Sequence, residues 1–288
     1  MKQIRSSLYF LAFGMLLTLF SCSEDDPIHV KPGISFTSGT GLISSDVSVP
    51  IYTPIKMNLT AAKGSQALKY IQVKVDGVLL PPLSFKVNGT DAAANPALLF
   101  NADQEGFVYT YEFLTSTEPD TIVYEFTLAD DKDSLEVHSL SVIFTATPAS
   151  VRGTGLIVYN YSGNRHGGLD LFNAKVVSGN DPNAQIRDFG VVNPQSNFQW
   201  VKKFTPLQGS VIKNPPSGLN FSEISYVEDI IFLFENGSND QGSLDTKVLA
   251  KGDFFLVKNG TSYFAVNIDN LTFTANDNLD NYEITLKR

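Results

Sequence analysis

The chain has little of what most enzymes work with: one cysteine, three histidines and one tryptophan in 288 residues. A single cysteine excludes an internal disulfide, so packing alone must hold the fold. It also excludes paired-cysteine zinc sites, and no H-E-x-x-H occurs. His29, His138 and His166 lie far apart in sequence, and with no G-x-S-x-G they form no recognisable hydrolase set. A Walker loop and G-x-G-x-x-G are absent, and nothing calls for a cofactor. No apolar run reaches the roughly 20 residues of a membrane-spanning helix. Acids outnumber bases 30 to 21, which excludes nucleic acid as a partner, because phosphate neutralisation requires a basic face.

What is present begins at the N-terminus. Lys2 and Arg5 precede a thirteen-residue apolar run, residues 8–20, with the layout of a secretory signal. In an exported chain an unpaired cysteine requires another use. Leu19-Phe20-Ser21-Cys22 resembles a bacterial lipobox, with Phe20 in place of the usual small residue, a looseness familiar in Bacteroidota lipoproteins. The resemblance implies removal of residues 1–21 and acylation of Cys22, and acyl chains in pairs anchor stably. Ser23, Glu24, Asp25 and Asp26 look like the acidic signal that sends such lipoproteins to the outer face of the outer membrane. Residues 22–32 then read as an acidic tether. Without Lys2 and Arg5 the body carries 19 basic and 30 acidic residues, a formal charge of −11.

The body is expected to be mainly β, in two domains. Residues 33–147 alternate apolar and polar positions between turn signals. Ile55, Met57, Leu59 and Ala61 share one face; Ile71, Val73 and Val75 share another, followed by Asp76-Gly77, a two-residue hairpin turn. Phe107, Tyr109, Tyr111 and Phe113 repeat the pattern, as do Ile122, Tyr124, Phe126 and Leu128. These strands resemble an immunoglobulin-like β-sandwich. Pro148 marks the expected boundary. Residues 150–288 read as a strand-dominated α+β domain with one amphipathic helix. Val227, Ile230, Ile231 and Phe234 give its apolar face, Ser225 and Glu228 its capping box, and Asn236-Gly237 its end.

Candidate ligand-binding residues are aromatic: Trp200 and Phe198, which share parity, and Tyr159 and Tyr161, which share one side of a strand. Exposed rings of this kind stack on sugars, and packed in the core they serve stability instead. The second half is the less acidic and the expected place for a ligand. Asp120-Thr121-Ile122 and Asp133-Ser134-Leu135 match the D-[ST]-apolar pattern of Bacteroidota O-glycosylation, making Thr121 and Ser134 candidate acceptors. Asp130, Asp131, Asp133 and Glu136 have oxygen ligands for calcium but lack the EF-hand spacing, and an acidic hairpin turn is the stronger reading. No metal site is assigned. Residues 252–268 are similar to the last hairpin of HmuY-type haem-binding lipoproteins. That likeness implies His or Met axial ligands, for which only His138, His166 and Met57 stand in the body.

The expected function is a non-catalytic surface lipoprotein on the outer membrane, binding an extracellular glycan or protein. A carboxylate-based polysaccharide hydrolase, a haem or small-ligand carrier and a structural spacer are the alternatives.

Overall fold

A computed structural model describes residues 29–192, 199–237, 245–274 and 277–288. The chain packs into two compact units. The first takes residues up to Ser45, Ile55–Phe113 and Val123–Leu140; the second takes Asp46–Pro54, Leu114–Ile122 and Ser141–Arg288. The sequence marks one boundary, whereas the chain passes between the units five times.

In chain order the first strands are β1 (Gly33–Thr37), β2 (Val47–Pro50), β3 (Ile55–Ala62), β4 (Leu68–Val75), β5 (Val78–Leu79) and β6 (Lys86–Val87). Next come β7 (Thr90–Asp91), β8 (Ala97–Leu98), β9 (Gly106–Phe113), β10 (Asp120–Asp130) and β11 (Leu135–Thr145). One sheet of the first unit has the order β1-β3-β9-β6-β7; facing it, β11-β10-β4-β5 run side by side, with β8 also on β4. The result is a two-sheet sandwich compatible with the immunoglobulin-like expectation. Period-2 burial produces it: Ile55, Met57, Leu59 and Ala61 are buried while their neighbours are not. Tyr111 meets Phe126 edge-on at 5.1 Å, and Phe113 lies 4.5 Å from Tyr124, so the aromatics of β9 and β10 fill the space between sheets. Asp76 and Gly77 turn at φ 49° and 77°, the left-handed pair the hairpin requires.

The second unit contains β2 paired in parallel with the end of β11, Val142–Thr145. It continues with β12 (Val151–Tyr159), β13 (Gly168–Asp170), β14 (Lys175–Val177), β15 (Ile186–Asp188), β16 (Val191–Val192) and β17 (Gln199–Trp200). Then come β18 (Phe204–Pro206), β19 (Val211–Lys213), helix α1 (Val227–Phe232), β20 (Phe254–Asn259), β21 (Ser262–Thr272) and β22 (Asn281–Lys287). The main sheet has the order β12-β22-β21-β20-β19; a second has β14-β13-β15-β18; β16 and β17 form a ribbon. The main sheet is covered on both faces. Phe255 and Val257 join Phe204, Tyr282 and Ile186 in the larger core, while Phe254 and Leu256 pack with Ile230 and Phe234 of the helical segment. That double burial is why β20 reads as an unbroken apolar run.

The expected helix is present, but its cap sits one residue later than the sequence suggests. The backbone N–H groups of Ser225 and Tyr226 both donate to Asp229 Oδ2 at 2.8 Å. Glu228, the expected partner of Ser225, instead accepts the N–H of Thr147 at 2.8 Å. Asp229 is buried and Ser225 exposed, so the carboxylate held inside takes the orphan donors. The helix continues as a wider turn over Leu233–Gly237. Among the described residues no helix is long and apolar enough to cross a membrane.

Candidate functional site

Cys22, Ser23, Glu24, Asp25, Asp26 and Phe198 lie outside the described residues. Trp200 does not have the placement of a stacking platform. It is 6% exposed, sits 4.5 Å from the Tyr282 ring, and donates its indole N–H to Asp188 Oδ2 at 2.8 Å. What little it shows lines a shallow hollow with Lys202, Val248 and Phe273. The correction has a physical reason. In β17 the parity that exposes Gln199 turns Trp200 inward, and a buried indole requires an acceptor, which Asp188 supplies.

Asp188 draws two of the candidates together. Its Oδ1 accepts the backbone N–H of Tyr161 at 2.9 Å and of Gly190 at 2.8 Å; Oδ2 accepts Trp200 and the Tyr282 hydroxyl, at 3.1 Å. Burial pushes this carboxyl up to about 6, against the four donors that favour its charged form. Every partner is structural, and the cluster ties the turn after β12, where Tyr161 lies beyond the strand it was expected to share with Tyr159, to β15, β17 and β22. The Tyr161 ring lies over the Arg187 guanidinium at 4.4 Å and its hydroxyl donates to Asn180 Oδ1 at 2.7 Å. Tyr159 is half-buried beside Arg165, 5.7 Å away.

Thr121 is exposed on β10, whereas the Ser134 hydroxyl is 2.6 Å from His29 Nε2. The acidic turn after β10 is self-contained: buried Asp130 accepts the N–H groups of Lys132 and Ser134 at 2.9 Å, and His29 is 3.0 Å away. Among the described residues no group of three metal-ligating side chains assembles. Of the residues named for haem, Met57 is fully buried in the first core and His138 packs on Phe36 at 5.1 Å.

A concavity lies in the first unit, where sequence reasoning placed no site. It is a groove of about 640 Å³ lined from β4, β6, β7, β8 and β9, within the roughly 300–1,000 Å³ typical of ligand sites. Its base is core: Ile71 and Val73 from β4, Phe85, and Tyr111 from β9, all buried. Its rim is exposed and mostly apolar, including Leu98 at 62% and Phe100 at 63%. Between them runs Ala92-Ala93-Ala94, where side chains of one carbon leave the space unfilled.

Local chemistry holds the walls. Asn88 and Gly89, at φ 52° and 81°, turn β6 into β7, and Asn88 exchanges two hydrogen bonds with Thr110 of β9, at 2.8 and 2.9 Å. On the other side, β4 pairs with β8 through Tyr70 and Ile71, and with β5 through Lys74 and Val75. Between these pairings Asn95 stands in for a strand. Its Oδ1 accepts Val73 N–H at 2.9 Å and its Nδ2 donates to Val73 O at 2.7 Å and Leu80 O at 2.8 Å. Tyr109 donates its hydroxyl to Asp103 Oδ2 at 2.9 Å; burial and this bond push the phenol up to about 12. The sequence signal is D-A-A-A-N-P-A, residues 91–97: small residues between turn dipeptides, where a sandwich would place large ones.

No protein-family model matches the chain, and no curated protein matches it. Among solved structures it is similar to the SrpA adhesin of Streptococcus sanguinis, at 10% identity over 49% of this chain and 70% of that one, with a TM-score of 0.28. It is also similar to BcpA, the major pilin subunit of Bacillus cereus, at 8% identity over 90% of this chain and 66% of that one, with a TM-score of 0.27.

Proposed function

We propose that the protein is a non-catalytic binding module, anchored to the outer membrane by lipid at Cys22, that faces the cell exterior and takes its ligand in the alanine-lined groove. The groove carries the reading: a concavity whose base is sandwich core and whose rim exposes Leu98 and Phe100. Anchoring rests on the lipobox-like Leu19–Cys22 and surface display on Ser23, Glu24, Asp25 and Asp26. The buried carboxylates favour binding over catalysis. Asp130, Asp170, Asp188, Asp229 and Asp280 each accept hydrogen bonds from their own neighbourhood, as turn, cap or core partners. The glycan reading loses its main support with Trp200 in the core, and the groove favours an apolar ligand.

Two measurements test this. Metabolic labelling with a fatty acid should tag the wild type and spare Cys22→Ser; equal labelling refutes the anchor. Replacing Glu24, Asp25 and Asp26 by Ala should leave labelling intact and protect the protein from protease added to whole cells.

A further inference from the structure

We infer that the groove is selective for uncharged apolar molecules and discriminates against anionic ones such as carboxylates of the same length. The inference rests on the groove being the binding site. Most polar side chains at the groove are already engaged within the fold.

Asn95 spends its side chain on Val73 and Leu80. Asn88 Oδ1 accepts Thr110 N–H, the Thr90 hydroxyl donates to Val87 O at 3.0 Å, and the Tyr109 hydroxyl donates to Asp103. Each of these groups is held by the fold, which leaves little polar code with which to read a sugar or a charged headgroup. A site built to recognise such groups keeps convergent donors or a cation free for them.

The charge at the groove has one sign. Among the described residues lining it, Asp91 is the one charged side chain; no Lys, Arg or His is present. Lys86 stands across the hairpin from Asp91, but no ion pair joins them among the described residues, and Lys86 does not line the groove. An anion entering here leaves water and finds no cation among the side chains that line the groove, so its charged form is disfavoured. A neutral molecule incurs no such cost, and gains the contact with Leu98, Phe100 and the buried base that apolar burial rewards.

The test uses the full chain with Cys22→Ser, free of acyl chains, and the neutral solvatochromic dye Nile red. Dye bound in the groove should be displaced by 1-dodecanol at least tenfold more effectively than by dodecanoate at neutral pH. Asp91→Asn should narrow that gap by raising the potency of dodecanoate. Dodecanoate matching or beating dodecanol, or a gap unmoved by Asp91→Asn, overturns the charge selectivity while leaving the groove as the site. Ala93→Trp, which fills the space, and Leu98→Asp, which charges the rim, should each abolish dye binding in proteins that melt like the parent. Dye that does not bind, or binds both variants as well as the parent, overturns the groove reading itself.

Discussion

Trp200 and Asp188 hold the second unit from inside, and each makes a quantitative prediction. Removing the indole takes away a ring packed against Tyr282 and Phe273 and leaves a cavity. Trp200→Ala should therefore cost about 3–5 kcal/mol of folding stability, read by chemical denaturation followed by circular dichroism. A loss below about 1 kcal/mol would mean the ring contributes little to the core. Asp188 makes stability depend on pH. Its carboxyl is raised by burial from 3.8 to about 6 in the folded chain, so between pH 6 and 4 the native state binds more protons than the unfolded one. Stability attributable to this group consequently rises as pH falls through that window, by about 3 kcal/mol at most. Asp188→Asn cannot titrate. The stability of the wild type relative to this variant should improve from pH 7 to pH 4, and a constant or shrinking difference would contradict the burial argument.

At the level of elements, the helix cap separates two residues that look equivalent in sequence. Asp229→Ala removes the acceptor for Ser225 and Tyr226 N–H and for the Tyr52 hydroxyl, at 2.8 Å. It should lower stability by about 1–2 kcal/mol. Ser225→Ala should change it by less than about 0.5 kcal/mol, and thermal melts of the pair decide which residue is the cap. The sequence located β3, β4, β9, β10 and the C-terminal strands because alternation is written in side chains that face one core, as at Ile55, Met57 and Leu59. It misassigned the cap because Ser225 and Asp229 both match capping chemistry, and only tertiary burial selects between them. The groove was hidden for a different reason. It is made by what Ala92, Ala93 and Ala94 do not fill, and periodicity detects occupied positions, not vacant volume. Trp200 shows the same limit: its parity was legible, but not which side of β17 is the inner one.

For the whole molecule, the five crossings matter more than any single boundary. Segments 46–54, 114–122 and 141–147 belong to the second unit. They contribute the β2–β11 pairing, the Tyr52 ring stacked on Phe232 at 4.2 Å, and the Thr147 N–H to Glu228. A chain of residues 150–288 lacks all three. Its denaturation midpoint, followed by the fluorescence of Trp200, the one tryptophan, should fall below that of the second unit in the full chain. Equal midpoints would show that residues from Ser150 onward are self-sufficient.

The position of β22 has a consequence for how such a chain is made. Residues 281–287 lie between β12 and β21, joined to both. A ribosome delivers β12 some 130 residues before its partner, so the largest sheet of the second unit cannot close while that stretch is still being synthesised. Pairings this distant in sequence are slow to form. Until β22 emerges, the central sheet of this unit keeps two open edges where its last partner belongs, and the segments between β12 and β21 have no finished sheet to pack against.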